Sequence, residues 1–463
     1  MKSVQESAAN DNCEGKQLED LTRALQKVLD GSAIARGSFA EQEEFVLAAV
    51  NEATRRVLER RLQEVEDSFG RDLKIGGLLY RRHQPGNVAY FSLCGPLQLR
   101  RWTYRPLGER NGPTKVAIEV WAGLVEGATP ALAFALAQGF AKAPIRSVEK
   151  DLLSARRVPP SRSTMDRMAK AIGAQVKLCG ERIERVVREQ EDLPDEVIAV
   201  NIGLDRTTVP MEETNDGRRV VRYRMAYVGT VCFTNSEAEP VLTRRYAVPA
   251  HCGPNGIVRR MLADVRHALN QRPRLNVGIV QDGACELWGI MWDAFRADPV
   301  LRKVKRRETY DFYHVIEYLG RVLEVLSNNA EEKKQLLTQW RNDLLNDDGA
   351  IDRIVRWIDE RVATFGHDSY KFYGYVRVIG IYLIRRKSFR YASLKKLGLM
   401  KGSGVTEGAC KSMITMRAKR SGQRWLPKGI SSLFALKSIV DSDRLAAFWT
   451  RFAQRYTSTC EAA

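Results

Sequence analysis

Glu407 is the only acidic residue between Arg385 and Lys428, a stretch that holds 13 lysines and arginines. It sits in Gly402-Ser403-Gly404-Val405-Thr406-Glu407-Gly408-Ala409-Cys410-Lys411, followed by Arg417, Lys419, Arg420, Arg424 and Trp425. Basic side chains hold phosphate, and a lone acid among them can hold a divalent metal against that phosphate. The pairing suggests an enzyme that cuts or joins nucleic acid. Two more acids fit the same demand. Asp205 follows the apolar run Val197 to Leu204, and Asp282 follows Asn276 to Gln281. Phosphoryl transfer uses two hard cations, one activating the nucleophile and one steadying the leaving oxygen. Magnesium takes carboxylate oxygens and keeps several waters, so three acids on separate elements suffice. Each acid also has a plainer reading. Asp205 and Asp282-Gly283 fit ordinary strand-end turns, and Glu407 with Lys411 fits an i, i+4 helix pair worth roughly a few tenths of a kcal/mol. Together, in this order and in basic surroundings, they favour a metal site.

The elements that must position these acids follow from the changes of period along the chain. Val197 to Leu204 reads as a buried strand leading into Asp205. Asn215-Asp216-Gly217 reads as a hairpin turn. Val220 to Phe233 reads as a long strand with Val221, Tyr223, Met225, Tyr227, Val231 and Phe233 on one face. Pro240 to Val248 makes a third strand, and Ile257, Met261, Val265 and Leu269 mark a helix. Asn276 to Gln281 makes another buried strand, ending in Asp282. Three antiparallel strands, a helix and a strand is the order of an RNase H-like core. In that order the first and fourth strands run parallel, and Asp205 and Asp282 lie side by side, where an open α/β sheet puts its ligands. From 313 to 400 the pattern is helical, with faces at Val315, Leu319, Val322 and Val325, at Leu336, Trp340 and Leu344, and at Ile354, Trp357 and Val362. This reads as an all-helical insertion before a segment, 401–463, that carries Glu407 on a helix and a basic C-terminal region.

Ahead of that core, 195–312, lie three other regions. Residues 1–75 read as a polar, unpatterned tail to about residue 20 and then helix, with Phe45, Val46, Ala49, Val50 and Val57 at helical spacing. Residues 76–112 read as a small basic β-module, with strands Asn87 to Leu93 and Leu97 to Tyr104 split by Cys94-Gly95-Pro96. It fits a DNA contact or a solvated hairpin equally well. Residues 113–194 read as helical. Ser147 to Ala155 and Ser163 to Ile172 flank the turn Arg156 to Pro160, and Ser163 with Asp166 makes a capping signature. The spacing allows a helix-turn-helix with Arg162, Arg167 and Lys170 toward DNA, as well as plain helix packing.

The 463 residues suit two or more domains. A hydrophobic fraction of 44% and a charged fraction of 28% are those of a globular protein. A net charge of +18 favours polyanionic partners, nucleic acid above all. The eight cysteines form no C-x-x-C pair, which argues against a zinc ribbon or a thioredoxin-type motif and suits a reducing cytosol. Met1 to Gly15 has no apolar signal-peptide core, and no run is long enough to span a bilayer. A cytoplasmic, nucleoid-associated location with no membrane partner is expected.

Leu204-Asp205-Arg206-Thr207-Thr208-Val209-Pro210-Met211, Gln281-Asp282-Gly283, and Gly402 to Lys411 with Arg417, Lys419, Arg420, Ser421, Gly422 and Arg424-Trp425 resemble the DDE transposases of bacterial insertion sequences. The likeness is to the ISKra-type family, with Mutator-like relatives, and covers roughly residues 195–430. It implies Asp205, Asp282 and Glu407 as catalytic metal ligands for two Mg2+ (or Mn2+) ions per site. It implies phosphate contacts from Lys411, Arg417, Lys419, Arg420 and Arg424, with Trp425 stacking on a base or packing in the core. Asp311-Phe312-Tyr313-His314 matches the C/D-x-x-H motif that supports the active site in the wider group, and also fits a capping aspartate with a core histidine. The partners implied are double-stranded DNA, both terminal inverted repeats and target, and further copies of the chain on that DNA. At Arg206 the family pattern has a small residue, so a cation is expected beside the first acid. The leading reading is a transposase. A DNA-binding relative without catalysis and an RNase H-like nuclease without strand transfer are the alternatives.

Overall fold

The strands form two separate five-stranded sheets. The computed structural model describes residues 18–109, 112–365, 380–382 and 384–463. The tail expected at the N-terminus lies outside them up to residue 17, as does part of the expected helical run, 366–379. The chain divides into two compact units, Met1–Ile172 with Thr450–Ala463, and Gly173–Trp449.

In the first unit, β1 (Asp72–Ile75), β2 (Leu78–Ser92), β3 (Gly95–Pro106) and β4 (Lys115–Val116) form an antiparallel meander. The C-terminal strand Cys460–Ala462 pairs with the outer edge of β1, a return the sequence pattern did not show. Ser92 pairs with Gly95, so the tight turn falls on Leu93-Cys94 and Pro96 lies inside β3. The helix Phe39–Ser68 begins with a capping box between Ser38 and Glu41. Its Glu59, Gln63 and Glu66 side chains accept hydrogen bonds from the backbone N–H groups of Gln98, Arg100 and Trp102 at 2.8, 3.0 and 2.7 Å. Helical spacing on one element thus meets alternate residues on β3 and satisfies an edge that would otherwise be open.

The helix pair around Arg156 to Pro160 differs from expectation. Its first member is Ile145–Ser154, but its second is the 27-residue Arg162–Arg188. Buried residues continue at helical spacing through Met165, Met168, Ile172, Val176, Cys179, Ile183 and Val187, so the helix does not stop near 172. Ser161, rather than Ser163, receives the Thr164 N–H at 3.4 Å, while Asp166 pairs with Lys170 at 2.5 Å.

In the second unit β5 (Ala199–Asn215), β6 (Arg218–Thr234), β7 (Pro240–Pro249), β8 (Asn276–Gln281) and β9 (Arg306–Tyr310) lie in the order β7-β6-β5-β8-β9. β5, β6 and β7 are antiparallel neighbours, while β8 runs parallel to β5 and β9 parallel to β8. β9 and the helix Cys285–Ala297 were not legible beforehand. The β5–β6 turn is Asp216-Gly217, with φ of 48° and 75°, the left-handed pair that a two-residue hairpin turn requires. β5 continues well past Leu204, so Asp205 lies within a strand and does not end one. The apolar alternation of β6 also outruns the core: Tyr227, Val231 and Phe233 pack inward, but Val221, Tyr223 and Met225 are exposed.

One apolar core joins this sheet to the helix Asn255–Gln271 and to the helices Phe312–Leu326, Ala330–Asn346 and Ala350–Phe365. Val315, Leu319, Val322, Trp340, Leu344 and Ile354 are all buried in it. Among the described residues, no helix is long and apolar enough to cross a membrane.

Candidate active site

The sheet register brings the first two acids together. β5 and β8 pair in parallel through Ile202 and Ile279, and Asp205 and Asp282 each lie three residues farther on. β5 then continues alone on that side, whereas β8 ends, so the two carboxylates sit where the sheet splits. Asp282 accepts the Ala284 N–H at 2.9 Å, which turns the chain into the helix Cys285–Ala297.

The third acid comes on the helix Gly404–Ala409. Backbone clearance allows that helix to lie against β5: a Cβ on Gly203 would stand 2.0 Å from Thr406 Oγ1. Thr406 Oγ1 also meets Thr230 Oγ1 on β6 at 2.7 Å. The next turn, Cys410–Thr415, is π-helical, a geometry that recurs at functional sites. Asp205, Asp282 and Glu407 line one cleft of about 130 Å³ with His314, Ser403 and Thr406.

Asp311 follows β9 and acts as a double cap. Its Oδ1 accepts the His314 N–H at 2.9 Å, starting the helix Phe312–Leu326. Its Oδ2 accepts the Ser403 hydroxyl at 2.6 Å and the Ser403 N–H, at the start of the Glu407 helix. Ser403 Oγ also lies 2.8 Å from Glu407 Oε1. Burial opposes the Asp311 charge, but the contacts from His314 and Ser403 win and hold its carboxyl at about 2. His314 Nδ1 lies 3.3 Å from Asp311 Oδ1 and 3.8 Å from Glu407 Oε1, off the line of a hydrogen bond to either. Asp311 first, then the charges of Glu407 and Asp282, push the imidazole up to about 9. His314 is thus a cation at neutral pH.

The acids in the cleft have few counter-charges. Asp205 accepts the Arg206 N–H at 2.6 Å and the Cys410 thiol at 3.2 Å. Burial pushes its carboxyl up, and Asp282 and Glu407 add to the rise. Burial, then the charges of Asp205 and Glu407, push the Cys410 thiol up as well, so it is a neutral donor. The Arg206 guanidinium turns away and pairs with Glu286. The cation expected beside the first acid is therefore not there. Among the described residues Asp205 and Asp282 have no ion pair, and Glu407 has His314 but not Lys411.

This donor set suits a hard divalent cation. Asp311, His314 and Glu407 form a tighter group, with ligand-type atoms within 4.8 Å of one another. Asp311 there already accepts hydrogen bonds from the His314 N–H and from Ser403, while the cleft lined by Asp205, Asp282 and Glu407 lies beside it and shares Glu407.

The basic residues divide in two. Lys411, Arg420 and Arg424 are exposed on the segment after Glu407, and Lys419 Nζ reaches Thr207 Oγ1 at 3.0 Å, beside Asp205. Arg417 and Trp425 are buried, at 1% and 7% exposure, which corrects the assignment of Arg417 to a phosphate contact and gives Trp425 the core place that was one of its two readings. Arg417 lies over the Trp425 ring, and the Trp425 indole N–H donates to the Ala418 carbonyl at 2.9 Å. The Trp425 backbone also bonds β5 at Pro210 and Glu212, so this segment packs as part of the core. In the first unit Arg162 is tied to Glu149 at 2.5 Å, and Arg167 is exposed. Sequence reasoning missed Ser403, Thr406 and Cys410. Their spacing of three and four residues around Glu407 was the available signal.

No family model and no curated protein matches the chain. A solved structure that does is described as a Drosophila P element transposase strand transfer complex, at 12% identity over 70% of this chain and 83% of that one, with a TM-score of 0.24. A score that low means the two chains do not superpose as wholes.

Proposed function

We propose that this chain is a DDE-type transposase with an RNase H-like core, of the bacterial insertion-sequence kind that its motifs resemble. One observation carries the reading. Three carboxylates from β5, the end of β8 and the helix Gly404–Ala409 converge on one cleft in which Asp205 and Asp282 lack any cationic partner among the described residues. Charge left uncompensated in a half-buried site is costly unless a cation joins it. The acids would hold Mg2+ or Mn2+, which when bound supplies Lewis-acid activation of water or a DNA 3′-hydroxyl and stabilises the leaving oxygen.

The remaining work falls to the chain's own residues. β5 and β8 fix Asp205 and Asp282 through their shared register. Asp311 and Ser403 fix Glu407. Lys411, Lys419, Arg420 and Arg424 would grip phosphates beside the cleft. Double-stranded DNA, with both element ends and target, is the substrate this implies, and synapsis of two ends requires more than one copy of the chain.

The test is incubation of the purified protein with labelled duplex from the flanks of its own gene, with Mg2+ or Mn2+, beside Asp282→Asn. Metal-dependent cleavage at a defined end, joined products and loss of both in the variant are expected. Cleavage at undefined positions without joining would make the protein a nuclease. Binding without cleavage in either metal would overturn the enzymatic reading.

A further inference from the structure

The Glu407 helix touches the sheet and its flank through one stripe of side chains at positions 403, 406 and 410. Ser403 meets Asp311, Thr406 meets Thr230 over Gly203, and Cys410 meets Asp205. Steps of three and four residues keep such a stripe on one helical face. Two of these contacts hold the helix to scaffold groups. The third is different, because its partner is one of the three cleft acids.

We infer that Cys410 is a positioning residue for Asp205, its thiol locking the carboxylate in the orientation from which it binds a divalent cation. The inference rests on the metal-site reading above. A carboxylate on a short side chain rotates broadly about its last bond. Asp205 has one donor on each oxygen: the Arg206 N–H reaches Oδ1 at 2.6 Å and the Cys410 thiol reaches Oδ2 at 3.2 Å. The first donor belongs to the next residue of the same strand. Only the second ties the carboxylate to another element, the one that carries Glu407 three residues earlier. Thr406 seats the helix on the sheet, and the Cys410 contact links the β5 carboxylate itself to the element that carries the helix acid. Cys410 is buried and opens the π-helical turn, so its side chain has a fixed exit from the helix.

The donor type matters as much as its place. A thiol is a weak, neutral donor. It can orient the carboxylate while leaving its charge available to a metal. An arginine at that point would neutralise the acid and compete with the cation.

The experiment is a calorimetric Mn2+ titration of the whole chain, comparing wild type with Cys410→Ala, Cys410→Ser and Asp282→Asn. Groups that orient metal ligands typically change affinity by about 10- to 100-fold when lost. Cys410→Ala should weaken Mn2+ binding by about tenfold, Cys410→Ser should restore it to within about threefold, and melting temperature should not follow that order. Cys410→Val, close in volume and lacking a donor, should match Cys410→Ala and replaces it if that variant does not fold. Wild-type affinity in Cys410→Ala or Cys410→Val would overturn the role of Cys410 and leave the metal-site reading standing. Absence of Mn2+ binding by the wild type would overturn both.

Discussion

The second unit contains two clusters built around buried or half-buried acids, and they are electrostatic opposites. Asp264, 2% exposed, meets Arg188 at 2.5 Å and Arg444 at 2.9 Å, and also accepts the Tyr246 hydroxyl. Arg444 reaches on to Glu191 at 2.6 Å, and Arg244 joins Glu191 at 3.1 Å. Burial opposes ionisation of Asp264, yet Arg444 and Arg188 outweigh it and hold the carboxyl at about 2. In the cleft Asp205 is half-buried, has acids in place of arginines as neighbours, and is pushed up. An acid surrounded by fixed cations holds a structure together. An acid surrounded by other acids leaves room for a mobile cation, and on the proposed function that difference separates scaffold from site.

The sharpest way to break the comparison is to exchange the consequences of losing each charge. Asp282→Asn should lower metal-dependent DNA cleavage by about a thousandfold, equivalent to about 4 kcal/mol of barrier, with no loss of melting temperature. Cleavage within tenfold of wild type would remove Asp282 from the site. Asp264→Asn leaves Arg188 without its acid and Arg444 with Glu191 alone, and breaking such a buried pair costs roughly 3 kcal/mol or more. Urea unfolding reads that loss, while Mn2+ affinity of the folded fraction should stay within about twofold of wild type.

Metal should act in the reverse sense. At about a hundred times its dissociation constant, Mn2+ should stabilise the wild type by about 2.7 kcal/mol and Asp282→Asn by far less. A shared shift in melting temperature would mean the ion binds elsewhere.

The pH response separates the clusters again. An acid held down by its fold contributes stability above its ordinary value near 3.8, and loses it as pH falls through about 2. Asp264 should therefore account for about 2 kcal/mol lost between pH 4 and pH 2, seen as the part of the wild-type slope that Asp264→Asn lacks. The smallest effect is expected at Arg206. Its pair with Glu286 is half-exposed, and such pairs contribute about 0–1 kcal/mol. Arg206→Ala should leave cleavage within about twofold, and a large gain would show that the arginine does reach the first acid.

Much of this architecture was legible because it is local. The Asn215-Asp216-Gly217 turn, the strands on either side of it and the helix through Ile257, Met261 and Val265 follow from turn chemistry and period. The misses have a common cause. The apolar run marks the strand only as far as Leu204, yet pairing with β6 on one side and Pro210–Trp425 contacts on the other carry it on through Thr207 to Met211. Arg417 reads as a phosphate contact because basic residues surround it, but long-range packing puts it inside. The helix Arg162–Arg188 reads as ending at Ile172, although its buried residues keep the same spacing through Val187.

By itself the sequence determined which residue types were available and how they were spaced: two acids after apolar runs, one acid in a basic segment, and turn residues that limit the sheet's topology. Spacing along a chain reports neighbours within a few residues, so it carries that much and no more. Only the tertiary structure decided that Arg206 faces Glu286, that Asp311 caps two helices at once and that a thiol 205 residues away holds Asp205. Those contacts depend on register and on which faces pack together, and both are set by the burial of the whole core.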